Sequence, residues 1–109
     1  MFLADVVKQL FLEKLVTDLN GHIASARVNI GGVQTAYPIY NTIVSGLAVR
    51  KYIYITETQA IGKQLLGAAL LDVDGNILAD QPLTVTKNDK GFLIAFEFIL
   101  RLELSSGGI

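Results

Sequence analysis

The sequence predicts an α+β fold: an N-terminal amphipathic helix packed on a mainly antiparallel β-sandwich or half-barrel. Three observations point there. Residues 2–19 carry apolar side chains at helical spacing, most of the chain after Gly21 alternates with a period of two, and short turn signals punctuate that second part. No helical stretch separates the strands, so parallel βαβ units are not expected. A chain of 109 residues suits one domain, expected over residues 1–104, with 105–109 as a flexible tail.

Over residues 2–19, Leu3, Val6, Val7, Leu10 and Phe11 form an apolar stripe, and the charges fall mostly opposite. Leu12, Leu15, Val16 and Leu19 widen that stripe, which predicts a helix buried on more than one side. Asn20 and Gly21 tolerate the left-handed backbone of a helix end and supply a stop. Ala24, Ala26, Val28 and Ile30 then alternate with polar residues as a strand. Gly31-Gly32 predicts a turn, and Val33 to Ile39 a return strand, with Pro38 held to an edge or an end. Thr42 to Thr56 is rich in β-branched residues and tyrosine, and Gly46 within it predicts a bulge or bend. Tyr52 and Tyr54 point to one face and Ile53 and Ile55 to the other.

Glu57 to Gln64 is polar and predicts a loop. Leu65 to Val73 is apolar on both faces, which predicts cover on both. Asp74-Gly75-Asn76 is the strongest hairpin signal in the chain. Ile77 to Ala79 returns, Pro82 is expected to break that strand, and Leu83 to Thr86 makes a short one. Asn88 to Gly91 is a turn. Last comes a long strand, "FLIAFEFILRLEL", in which Phe92, Ile94, Phe96, Phe98, Leu100, Leu102 and Leu104 all share one face. Thirteen extended residues reach about 43 Å, beyond what a compact domain of this size spans, so the strand is expected to bend or project. Its far face carries Leu93, Ala95 and Ile99. With Tyr52 and Tyr54 these are the candidate interface residues; the alternative cover for that face is a helix lying on it within the monomer.

Composition narrows the function classes. Nine Lys and Arg against ten Asp and Glu give a net charge of −1, with no basic surplus for nucleic acid. There are no cysteines, so disulfides, thiolate metal sites and cysteine nucleophiles are excluded. Charged residues are 17% of the chain, where about 25% is usual, and mean hydropathy is +0.47. Such a chain exposes apolar surface or covers it with a partner. A homo-oligomer or a permanent seat in a larger assembly is therefore expected; for a self-associating structural component, a trimer or hexamer is the expected form. Val28 to Val49 is uncharged apart from Arg27 before it and Arg50 after it, but its asparagines, glycines and Pro38 argue against a membrane span. No signal-peptide core is expected in the first twenty residues, where Asp5, Lys8, Glu13, Lys14 and Asp18 interrupt the apolar ones.

No motif names a chemistry. His22, the only histidine, follows the helix stop, where a partial positive charge suits the terminus; a triad would need a nucleophile and an acid that nothing places beside it. Asp72, Asp74, Asn76 and Asp80 lack the later Glu and flanking helices of a calcium loop, and turn chemistry accounts for them. Tyr37, Tyr40, Tyr52 and Tyr54 suit either a sugar platform or plain strand packing. The other acids are scattered, and the glycines follow no nucleotide pattern. No enzyme, cofactor or metal site is expected.

The stretch from Gly62 to Glu103 resembles a pattern in phage tail-fibre and baseplate proteins. The matching pieces are "LLGAALLDVDGNILADQPLTV", "TKNDKG" and "FLIAFEFILRLEL": a strand with an apolar centre, an Asp-Gly hairpin, a Pro-containing return, a charged turn and a long alternating strand. The N-terminal half does not share the pattern. The resemblance implies a structural component of a phage or prophage tail, made in the bacterial host cytoplasm, built into the virion tail, and touching itself and other tail proteins. The alternative is a small β-rich binding module holding an apolar or carbohydrate ligand between its sheets.

Overall fold

A computed structural model of the chain describes residues 8–101. They form one helix, α1 (Gln9–His22), and seven strands: β1 (Ser25–Ile30), β2 (Val33–Tyr37), β3 (Asn41–Ser45), β4 (Ala48–Ile55), β5 (Gln64–Leu71), β6 (Ile77–Thr86) and β7 (Phe92–Ile99). One sheet has the order β2-β1-β5-β6 and the other β3-β4-β7, and every pairing is antiparallel. This is an α+β fold in a mostly β, sandwich-like arrangement.

Alternation decides which side chains lie between the sheets. Ala26 and Val28 of β1, Tyr37 of β2, and Leu65, Ala68 and Leu70 of β5 come from the four-stranded sheet. Ile53 and Ile55 of β4 and Ile94 and Phe96 of β7 come from the other, and Ile23 closes the cluster behind the helix. The predicted stripe is thus the inner face of β7, with Ile94 and Phe96 buried and Phe92 and Phe98 packed against the cluster.

Several expectations are revised. The helix runs past Asn20-Gly21 to His22, and its predicted residues 2–7 lie outside the described ones. Its described residues are buried along one face, with Leu12 and Val16 buried and Leu19 packed against the core cluster, not on several sides; β4 is its main strand contact, and Leu10 and Phe11 are exposed. Gly46 makes neither bulge nor bend. It takes a positive φ of 57° in a two-residue turn between Ser45 and Ala48, so the expected single strand folds back on itself as β3 and β4. Gly31 and Gly32, with φ of 60° and 96°, make the predicted turn between β1 and β2.

The predicted β5–β6 hairpin forms, with a loop of five residues between Leu71 and Ile77 rather than a tight Asp-Gly turn. The Asp72 carboxylate organises it, accepting from the Asp74 and Asn76 backbone N–H groups at 2.9 and 2.8 Å and from Asn76 Nδ2 at 3.1 Å. Pro82 does not break β6. It stands opposite Gly67 on the edge strand of its sheet, and the register steps by one extra residue of β6 between Val85 and Pro82. An edge strand has one side without ladder bonds, so a residue without an N–H is tolerated there. Finally, the expected thirteen-residue strand ends as β7 at Ile99. Leu100 N–H still donates to Leu47 O at 2.8 Å. Residues 102–104 of the predicted stripe and the predicted tail, 105–109, lie outside the described residues.

Two lysines are buried. Lys51 occupies a core-facing position of β4, 5% exposed, and its ammonium donates to Asn20 Oδ1 and, at 3.0 Å, to Thr42 Oγ1. It ties the last turn of α1 to β3 and β4, where the carbonyl end of a helix favours a cation. Burial pushes its pKa below the ordinary lysine value. Lys87, 2% exposed, donates to Asn88 O at 2.8 Å, while its backbone bonds Gly62 and Lys63. It fastens the β4–β5 loop to the end of β6.

Candidate functional site

The outer face of the β3-β4-β7 sheet collects the five candidate interface residues. Strand register sets them in rows: Tyr54 opposite Leu93, Tyr52 opposite Ala95, Arg50 opposite Glu97, and Ala48 opposite Ile99. All point away from the core, because Val49, Ile53, Ile55, Ile94 and Phe96 on the same strands are the buried ones. Leu93 is 52% exposed and Ile99 65%.

Four members of this face were not among the interface residues named from sequence: Ile43, Arg50, Glu97 and Tyr40, the last weighed there only as part of a tyrosine platform. Ile43 of β3, 44% exposed, stands opposite Arg50 and extends the apolar area sideways. Tyr40 lies against Tyr54 with ring centroids 5.0 Å apart. Arg50 Nε meets Glu97 Oε2 at 2.5 Å. The guanidinium pKa is raised further by that hydrogen bond to Glu97, and next by the Tyr52 phenol. The signal for Ile43 was the hairpin at Gly46: once the chain turns there, Ile43 must stand beside Arg50.

Gly91 makes room for a tyrosine on this face. A Cβ there would meet Tyr54 Cε1 and Cζ at 2.7 Å, so the ring sits over bare backbone. The four tyrosines do not form one platform. Tyr40, Tyr52 and Tyr54 are outside, but Tyr37 is buried in the core, its hydroxyl at a long 3.4 Å from Gln59 Oε1 and its pKa raised by burial.

Other candidates are dispersed. His22 sits on the exposed end of α1 with Nε2 3.5 Å from Asp18 Oδ2. Asp72 is occupied by its own turn, and its carboxyl is held below the usual range by bonds to Asn76 first. Asp80 lies on the outer face of β6 opposite Ala69, away from that turn. Among the described residues no group of three or more histidines or acids is placed to hold a metal, and no helix is long and apolar enough to cross a membrane.

Two shallow concavities lie on outer faces. One, about 320 Å³, has a floor of Gly67 and Ala69 between Arg27 and Asn29 on one side and Asp80 and Pro82 on the other. The second, about 290 Å³, lies beside the Arg50–Glu97 pair and Ile43. Between the sheets lie the side chains of the core cluster. No protein-family model, curated protein or solved structure matches the chain.

Proposed function

We propose that the protein is a structural component of a phage or prophage tail that works by self-association and by contact with neighbouring tail proteins. The observation that carries this reading is the outer face of the β3-β4-β7 sheet. It sets Ile43, Leu93 and Ile99 in solvent around tyrosines, with its one cation and one anion already paired to each other. Aromatic rings, aliphatic anchors and an arginine with its charge satisfied are the composition of a protein interface core. The resemblance of residues 62–103 to tail-fibre and baseplate chains supplies the setting.

Particle composition tests it. Tail preparations from the cells that make this protein contain it at a fixed stoichiometry, and Ile99→Glu, which puts a charge on the most exposed apolar position of β7, lowers its incorporation without lowering its expression. Tails that lack the protein overturn the reading.

A further inference from the structure

We propose that two copies of the chain join through the free edge of β7, antiparallel about a two-fold axis, so that two three-stranded sheets become one of six. The inference rests on the self-association read above and names its geometry. It begins from hydrogen-bond parity. Leu100 N–H donates to Leu47 O, continuing the β4–β7 register, so the even-numbered residues of β7 turn their backbone groups toward β4. Leu93, Ala95, Glu97 and Ile99 therefore turn theirs outward. Among the described residues nothing bonds them.

Folded chains protect such edges with proline, lysine, bulges or short length. The other three edges of this molecule use those devices. β2 has five residues and is followed by Pro38; β3 has five; β6 contains Pro82 and two register shifts. β7 has eight residues and no proline, glycine or lysine. Its one charge, Glu97, is matched by Arg50 of its own sheet, so it repels little.

Self-pairing has few registers, and the side chains choose among them. Placing Phe96 on the axis sets Leu93 opposite the second copy's Ile99 and Ala95 opposite its Glu97, while Ile94 meets Phe98 on the inner face. A shift of two residues one way puts Glu97 against Glu97; the other way puts Leu93 against Glu97 and Ile99 against Gly91. The first shift opposes like charges, and the second leaves Ile99 opposite a glycine, whereas the Phe96-centred register alone pairs Leu93 with Ile99. The favoured register covers Leu93 and Ile99, the two most exposed apolar side chains of β7, and makes eight new backbone bonds, two from each of four facing pairs. The contact is isologous, so it occurs in a dimer, or across the dyads of a hexamer, and never in a three-fold ring.

Ala95→Pro tests the edge in the full-length protein. Its N–H points outward, so the substitution removes no bond of the β4–β7 ladder, yet it blocks pairing with a second copy. The expected result is native circular dichroism with the mass by light scattering reduced two-fold. The double variant Leu93→Cys/Ile99→Cys checks the register in a chain that has no other cysteine. The two sites lie six residues apart on one strand and do not bridge within a chain, so mild oxidation gives a covalent dimer that neither single variant matches. A monomeric or trimeric wild type, a folded Ala95→Pro of unchanged mass, or a double variant that does not cross-link overturns the pairing. If mass survives Ala95→Pro but falls in Ile99→Glu, the contact is the outer face, and only the edge pairing is lost.

Discussion

Lys51 holds a position that alternation reserves for an apolar side chain, between Val49 and Ile53 on the buried face of β4. Its methylene stem serves as core and its ammonium as a tether to Asn20 and Thr42. Burial disfavours the charged form, as the lowered pKa records, so the ammonium's desolvation offsets much of what its hydrogen bonds contribute. Lys51→Met is therefore expected to change unfolding free energy by no more than about 1 kcal/mol, because the stem is kept and the charge is shed. Lys51→Glu, which sets an anion against the carbonyl end of α1, is expected to destabilise by several times as much; urea melts of the two variants check both. Asp72 behaves oppositely. Its folded pKa is lowered by bonds to Asn76 and Asp74, so its stabilisation is complete above the ordinary carboxylate pKa of about 3.9 and is lost as pH falls through the lower folded value. Melts of wild type and Asp72→Ala are expected to differ most near neutral pH and to converge below that folded value.

Strand β7 shows how one element serves two purposes. Phe96 points inward and Leu93 outward, three residues apart on the same backbone. Phe96→Ala is expected to cost about 3–5 kcal/mol, the price of a large core deletion, while Leu93→Ala is expected to stay within about 0.5 kcal/mol in the monomer. Equal costs in denaturant melts would show that the faces are assigned wrongly. This two-sidedness was legible in the sequence, because a period of two needs no knowledge of neighbours. The miscounted elements needed that knowledge. Gly46-Leu47 lacks the Asn-Gly or Asp-Gly signature, so β3 and β4 read as one strand. Pro82 looked like a break because sequence does not say which strand lies at an edge. Asp72, three residues before Gly75, took over the loop that Asp-Gly was expected to close. The helix stripe read as broad because its leucines were counted without knowledge of which of them the sheets would meet.

At the scale of the molecule, shape and surface agree with the composition. The chain spans 57 × 26 × 26 Å with a radius of gyration of 17.3 Å, where a compact domain of this length has about 13 Å. It exposes 7233 Å², against about 5,900 Å² for a compact monomer of its mass. The excess, about 1,300 Å² for one chain, is larger than the roughly 800 Å² that a standard interface removes from each partner. Alternation alone turned Leu93, Ala95, Ile99, Tyr52 and Tyr54 away from the core, but it did not say that one sheet gathers them or that the β7 edge has no strand beside it among the described residues. Those facts depend on strand order, which alternation does not encode. If association covers this surface, folding and pairing are linked, and stability depends on concentration. For a dimer that unfolds to two chains, a hundredfold rise in protein concentration adds about 2.7 kcal/mol per dimer, or roughly 1.4 per chain, which raises Tm by about 5–10 °C in a domain of this size. Calorimetry of the wild type from about 1 to 100 µM is expected to show that rise. Ala95→Pro is expected to show a Tm that does not move, at a value close to that of the dilute wild type. A wild-type Tm independent of concentration would mean that the surplus surface stays wet.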